Sequence, residues 1–230
     1  MSKLKNWYQY SGPYDKIDAA VSKHFRKKLN NKDFTIICPN CIGGQIYHRF
    51  GLRFDSPTIN LSINTPDFTN FLRFFEYYLE QDMDETEPRN DGKPRAILKG
   101  NGNDIPDLII TFVHYDNFEA GRAKWYERRS RIDRSNMYLI MFDIQDLYET
   151  DYDKAGFLTD EQLKVFEEFP CKNRVLFTRN PQCKSKFAYY IKPNYREALP
   201  IVYFAKDPFG RRTYEKHFNV AKFLNSNTQA

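Results

Sequence analysis

The residues best suited to chemistry lie in one segment, Asn-Cys-Ile-Gly-Gly, at positions 40–44. A cysteine at the start of a helix has a stabilised thiolate, so Cys41 is a candidate nucleophile that would use a histidine as its base. His114 is the better base, because it ends a predicted strand. His48 lies about two helical turns beyond Cys41 and is expected to play a supporting part. A His114 that only forms local hydrogen bonds is the alternative.

Gly43 and Gly44 open a predicted helix directly after a predicted strand. Without side chains they would let a ligand approach the backbone, and with Asn40 they could hold a phosphate or a carboxylate at the free N–H groups. The alternative is that the two glycines let the helix pack against the sheet. Their spacing matches neither GxGxxG nor GxxxxGK[ST], so both interpretations stay open.

Metal chemistry has little support in this sequence. Cys38 and Cys41 form a CxxC pair, but Cys171 and Cys183 are too far apart in the chain to complete a typical zinc site. Cys38 is expected to be a buried, small hydrophobic residue. Asp143 follows an apolar strand, without the second aspartate of a DxD motif. We therefore predict no cofactor and no metal site, and a divalent cation at Asp143 stays open.

A second group of candidate residues lies on a predicted helix over 117–132. Trp125 is spaced so that Arg128 could stack on its indole or reach a phosphate, and Arg131 could assist. The alternative is a solvated basic face.

The elements that must position these residues alternate between strands and helices. This alternation predicts a single α/β domain over 1–230, with a mostly parallel or mixed sheet covered by helices on both faces. The loop 82–95 is a possible internal boundary. Predicted strands cover 34–38, 107–115, 137–144 and 174–178, with a hairpin at 96–104 and edge strands at 187–192 and 199–205; predicted helices cover 15–29, 42–51, 65–81, 117–132, 158–169 and 212–224.

Ligands of open α/β sheets bind beyond the carboxyl ends of the strands. If the four main strands are parallel neighbours, the residues that follow them converge on one rim. Those residues are Asn40, Cys41, His114, Tyr115, Asp143, Thr178 and Arg179.

Composition excludes several classes of protein. Twenty Phe and 16 Tyr exclude a disordered chain. A net charge of +5 is a mild excess that suits an anionic ligand and does not indicate nucleic acid. No stretch is apolar enough to span a membrane, and the first residues have no signal-peptide core, so we expect a cytoplasmic protein with reduced cysteines, with peripheral membrane contact left open.

Three segments resemble the bacterial family of unknown function numbered 1919. They begin at Phe34, Phe112 and Cys171, and the resemblance covers roughly residues 20–205. Members of this family are often labelled exopolysaccharide or capsule biosynthesis proteins, so the resemblance implies a role in building surface glycans. The matching positions are Asn40, Cys41, Gly43, Gly44, Tyr47, His48, Arg49, Ser56, Pro57, Thr58, Ile59, Asn60, Leu61, His114, Tyr115, Trp125 and Arg128.

Three functions are compatible with these features. The first is a transferase that acts on a sugar nucleotide or phosphorylated sugar, with phosphate at the Asn40–Gly44 turn, His114 as base, and Ser56 and Asn60 bonding to hydroxyls. The second is a non-catalytic assembly factor of the polysaccharide machinery that uses the basic helix 15–29. The third is hydrolysis through a Cys41 nucleophile.

Overall fold

A computed structural model describes residues 12–149, 151–191 and 211–226. The predicted edge strand at 199–205 lies outside these ranges. The helices are α1 Gly12–Arg26, α2 Ile42–Phe50, α3 Thr65–Arg73, α4 Phe75–Glu80, α5 Phe118–Arg129, α6 Tyr152–Ala155, α7 Asp160–Glu168, α8 Thr213–His217 and α9 Val220–Asn225. The strands are β1 Thr35–Ile37, β2 Met83–Thr86, β3 Arg95–Leu98, β4 Leu108–Thr111, β5 Met137–Phe142, β6 Asn173–Thr178 and β7 Ala188–Tyr190.

Four strands form a fully parallel sheet in the order β1-β5-β6-β7. The strand β5 reads MYLIMF, and all six residues are buried. A continuous apolar run of this kind is typical of a parallel strand that is covered on both faces. The α/β class predicted from the sequence is confirmed.

Helices cover both faces of the parallel sheet. Because side chains alternate along a strand, neighbouring residues of β1 enter different cores. Ile36 packs in the core that contains α2 and α9. Ile37 packs in a second core, which contains α3, α4, α5 and α7.

The remaining strands form a separate antiparallel sheet in the order β2-β3-β4. The strand predicted over 107–115 is therefore present as β4, but it is not a neighbour in the parallel sheet. The predicted loop 82–95 also contains β2, whose residues Asp84 and Glu85 are exposed. An edge strand with polar side chains lacks the apolar alternation by which strands are predicted. The hairpin predicted near Gly100 is formed by β3 and β4.

Two local predictions about helices have different outcomes. The capping box of α7 is confirmed, with reciprocal bonds between Thr159 and Gln162. The predicted helix 65–81 is divided at Phe74, whose backbone leaves the helical conformation. No helix in the described ranges is long and apolar enough to cross a membrane.

Candidate functional site

Cys41 lies at the start of α2, four residues after the end of β1. The chain leaves the sheet at Ile37, and Cys41 is the N-cap residue of α2 with a helical backbone conformation. Its side chain makes no capping hydrogen bond to the helix. Its Sγ lies 4.0 Å from the carbonyl oxygen of Leu61, and the residue is partly exposed.

His114 reaches Cys41 from the antiparallel sheet. Its Nε2 lies 3.1 Å from Cys41 Sγ, which is hydrogen-bonding distance for a thiol and an imidazole. The segment around Ser62 connects the two sheets: Ser62 and Thr111 exchange two backbone hydrogen bonds of 2.9 Å, and Ile63 donates to the carbonyl of Pro39. Cys41 and His114 are therefore brought together by this bridge between the two sheets. They do not follow neighbouring strands of one parallel sheet, which is the arrangement expected from the sequence.

Both members of the pair are neutral at pH 7. Burial raises the pKa of Cys41 to about 12, the neighbouring Cys38 adds to this rise, and the Arg212 charge opposes it. Burial, followed by the Lys93 charge, lowers the pKa of His114 below its ordinary value. The prediction that the helix N-terminus stabilises a Cys41 thiolate is therefore wrong for the resting protein. The effect of burial on the Cys41 pKa outweighs that of the helix dipole, and no N–H group of the helix bonds to the sulfur. In a neutral pair the thiol donates to Nε2 when the imidazole proton is on Nδ1.

Asn40 places a polar group next to Cys41. The residue is 5% exposed, and its Oδ1 accepts a hydrogen bond from the Ile42 N–H. Its Nδ2 is buried and has no partner within the described ranges. A buried donor without a partner costs free energy, and this one belongs to the residue that directly precedes the thiol.

Gly43 and Gly44 have a packing role. A Cβ at Gly43 would lie 2.8 Å from Cys38 Sγ, and one at Gly44 would lie 2.7 Å from Asn60 Oδ1. Both distances are shorter than real contacts of a Cβ, so α2 can approach β1 and the 59–60 segment only with glycine here. The first backbone N–H of α2, that of Ile42, donates a hydrogen bond to the Asn40 side chain.

Several residues of the family motif support the backbone around Cys41. Tyr47 donates to the Phe34 carbonyl at 2.6 Å. Ser56 is fully buried and lies 3.2 Å from Thr58, whose hydroxyl accepts from the Cys38 N–H. The oxygen of Ser56 is thus occupied within the protein, and the binding of a ligand hydroxyl by Ser56 stays a prediction.

Asn60 lies on the segment beside Cys41, whereas His48 lies at the other end of α2. Asn60 is the only non-glycine residue within the described ranges with a positive φ, 64°, a conformation that asparagine tolerates. It follows Ile59 and precedes Leu61, so it is on the segment beside the thiol. His48 is exposed in the last turn of α2, away from Cys41, in agreement with the expectation that it is not a direct partner.

Trp125 and Arg128 of α5 face the protein. Trp125 is 1% exposed and packs against Phe71. Arg128 donates to the Ile59 carbonyl and the Tyr115 hydroxyl, and lies over Phe54. Tyr115 is thereby held by Arg128.

Arg131 donates to the Phe54 carbonyl and pairs with Glu127. The orientation of a helix face depends on tertiary packing, which spacing along the helix does not contain.

Asp143 and Cys38 are both buried within the protein. Asp143 is buried and accepts hydrogen bonds from the Leu158 N–H and the Thr178 hydroxyl. Cys38 is fully buried, and burial raises its pKa to about 11, as expected for a structural thiol. The described part of the chain contains no group of three or more residues that could hold a metal ion.

The sequence patterns did not indicate that two further residues, Arg212 and Lys93, influence the pair. Arg212 acts on the Cys41 charge, and Lys93 acts on the His114 charge. Each is far in sequence from the residue it influences, and each lies in a polar stretch without a motif. Only the folded chain brings them to the site.

The fold and the site define an α/β protein with a cysteine–histidine pair at the end of its first strand. A sequence model of the family described as a domain of unknown function, DUF1919, matches residues 15–225. The chain is also 30% identical over 221 residues to an uncharacterized protein of Haemophilus influenzae, with 93% of this chain and 98% of that protein covered. The chain belongs to the DUF1919 family, as its motifs predicted.

Proposed function

We propose that this protein is an enzyme that transfers or hydrolyses an acyl group through a thioester on Cys41, with His114 as general base. The observation that carries the proposal is the 3.1 Å distance between Cys41 Sγ and His114 Nε2. A nucleophile and a base within hydrogen-bonding distance are the diagnostic arrangement of covalent catalysis. The pair is also accessible, because His114 is exposed and Cys41 is partly exposed.

In the first half-reaction, Cys41 Sγ attacks the carbonyl carbon of the acyl donor while the thiol proton moves to His114 Nε2. The carbonyl π electrons move to the oxygen. When this oxyanion collapses, the bond to the leaving group breaks, and Nε2 returns the proton to that group. The products are a thioester on Cys41 and the free leaving group.

In the second half-reaction, water or an acceptor hydroxyl gives its proton to Nε2 and attacks the thioester carbonyl. Collapse breaks the carbon–sulfur bond, and Cys41 recovers its proton from His114. The neutral resting pair suits this cycle, since proton transfer and attack occur together and no thiolate has to be kept charged in a buried place.

Asn40 would stabilise the oxyanion. Its Nδ2 is a buried donor without a partner in the described residues, on the residue that precedes the nucleophile. A donor held ready in a water-poor site is worth about 100- to 1,000-fold in rate in acyl transfer. Asn40→Asp would remove the donor and add a negative charge, so acylation should slow at least as strongly.

The test is acylation by an activated aryl ester, followed by peptide mass mapping. We expect the acyl group on Cys41, no adduct there in Cys41→Ser, and a rate about 100- to 10,000-fold lower in His114→Ala. Cys183 is the internal control, because it is also partly exposed and burial also raises its pKa. Equal acylation of Cys183 and Cys41, or an unchanged rate in His114→Ala, would contradict the proposal.

A sugar-nucleotide transferase of surface-glycan synthesis is the other function predicted from the sequence. Its pathway rests on the family resemblance alone. Its donor site required an open turn at Gly43 and Gly44 and free guanidinium groups on Arg128 and Arg131, and all four residues have internal contacts. The thiol mechanism is therefore favoured, and a glycan hydroxyl could serve it as the acyl acceptor.

A further inference from the structure

A polar cavity of about 320 Å³ lies where the first turn of α3, the antiparallel sheet and the loop after β5 meet. Its volume is at the lower end of the range for ligand pockets, which suits a ligand of one small ring. Its lining includes Asn64, Asp67, Arg89, Arg95, Ile109, Thr111 and Tyr148. None of them has a part in the Cys41–His114 chemistry.

The lining offers both hydrogen-bond acceptors and donors. Asp67 accepts from the Ile109 backbone, and burial raises its pKa to about 6, so the carboxylate is ionised at pH 7 with acceptor capacity left. Asn64 uses its Oδ1 for the N–H groups of Thr65 and Leu147, which leaves its NH₂ group to donate. Tyr148 lies 3.3 Å from the Thr111 hydroxyl.

The charges around the cavity balance. Arg89 forms two hydrogen bonds with Asp91, of 2.8 and 2.5 Å, and its guanidinium lies over the Tyr148 ring. Arg95 donates to the carbonyls of Glu87 and Pro88, which occupies two of its five N–H groups. Asp91 lies outside the lining but pairs with Arg89, so the charges of Asp67, Asp91, Arg89 and Arg95 cancel around the cavity.

This balance selects the class of ligand. A phosphate or carboxylate offers acceptors only and would be repelled by the Asp67 carboxylate. An apolar molecule would leave the Asp67 and Arg95 groups unpaired. A hydroxyl both donates and accepts, so it can bond to the carboxylate and to the remaining N–H groups together. The Ile109 side chain and the 41% exposed Tyr148 offer apolar surface for ring carbons.

We propose that this cavity is a binding site for a small uncharged polyhydroxylated ring, that is, a single sugar unit. The site is independent of the proposed acyl transfer and is tested by binding alone. Its nearest connection with the thiol is the segment from Leu61, beside Cys41 Sγ, to Asn64 in the lining.

The experiment is a ligand-observed NMR titration of the full chain with a set of uncharged methyl glycosides and with inorganic phosphate. We expect saturable binding of at least one glycoside, about tenfold weaker binding in Asp67→Ala and in Arg95→Gln, and no saturable binding of phosphate. Asp104→Ala is the matched control, because Asp104 is an exposed carboxylate outside the lining. Thermal midpoints show that each variant is folded.

Three outcomes would overturn the proposal: no glycoside binds to the folded protein, binding is unchanged in both cavity variants, or phosphate binds and the glycosides do not. Cys41→Ser separates this proposal from the catalytic one. That variant should bind glycosides as the unchanged protein does while it loses acylation, so either proposal can fail without the other.

Discussion

At the scale of single residues, the proposed mechanism makes the reactivity of Cys41 depend on His114 and not on pH. Burial raises the pKa of Cys41 to about 12, so its thiolate is scarce at pH 7. In the proposed mechanism, His114 compensates for the scarce thiolate by removing the thiol proton during the reaction.

The pH dependence of Cys41 acylation tests this role. In the unchanged protein the rate should be nearly constant from pH 7 to 9, because the lowered pKa of His114 leaves its imidazole neutral throughout this range. In His114→Ala the rate should rise about tenfold per pH unit, since only the thiolate reacts and its fraction grows until about pH 12. A tenfold rise per unit in the unchanged protein would show that His114 is not the base.

A buried ion pair connects Arg49 of α2 with Glu215 of α8. Arg49 bonds through Nε to Glu215 Oε1 at 2.5 Å and through Nη1 to Asp18 at 2.9 Å, and it lies over Phe25. The Arg49 and Glu215 side chains are only 5% and 1% exposed. This contact joins α2 to α1 and α8.

Glu215→Gln should lower the free energy of unfolding by about 3–5 kcal/mol, because it leaves the buried Arg49 charge without its main partner. Chemical denaturation measures the change. Glu76→Gln is the matched control: its partner Arg134 also lies at 2.5 Å, but both side chains are more than half exposed. We expect less than about 1 kcal/mol there. Equal effects would show that the Arg49 contact is not effectively buried.

At the scale of elements, α2 is held against the sheet by its two glycines. Gly43→Ala should destabilise the fold by about 1–3 kcal/mol, because the new Cβ would meet Cys38 Sγ at 2.8 Å. The higher helix propensity of alanine offsets part of this, about 0.5–1 kcal/mol. Denaturant unfolding measures it, with His48→Ala, on the exposed side of the same helix, as the control. An unchanged stability would favour the ligand-binding interpretation of Gly43.

The elements also show which signals a sequence contains. The position of Cys41 after β1 and the capping box at Thr159 depend on neighbours in the chain, and both were predicted. The placement of β4 was wrong, because a short apolar run has the same pattern in a parallel and an antiparallel sheet. Trp125 was misplaced because helical spacing defines a face without saying what covers it.

The candidate site itself was predicted only in part. The Cys41–His114 contact was one alternative among several, and the expected reason for it was a shared rim of parallel strands. The actual reason is the pairing of Ser62, an isolated bridge residue, with Thr111 at the end of β4, a contact that neither local pattern contains. The polar cavity around Asp67 had no signal at all, since its lining comes from four separate stretches of the chain.

At the scale of the whole molecule, the two sheets share one hydrophobic core. Met83, Leu98 and Ile110 of the antiparallel sheet pack in the same cluster as Leu139 and Leu176 of the parallel sheet. An internal boundary near 82–95 would instead separate two cores.

We therefore expect a single cooperative unfolding transition. Denaturant curves from far-ultraviolet circular dichroism, which reports helices, and from tyrosine and tryptophan fluorescence, which reports the shared core around Tyr78 and Trp125, should coincide. Two separate transitions would contradict this expectation. If Met83→Ala shifted the midpoint of one transition and left the other unchanged, the antiparallel sheet would unfold as its own domain. A single domain over the chain is the prediction under test.

The pairing of β1 with β5 has a consequence for folding during synthesis on the ribosome. Thr35 is paired with Met137, so roughly a hundred residues are synthesised between one strand and its partner. At about 5–20 residues per second, β1 waits on the order of 5–20 s for β5. During that time its three residues, all buried in the native fold, stay open to water. A nascent chain of this protein is thus a natural client for chaperones that shield apolar segments until translation passes β5.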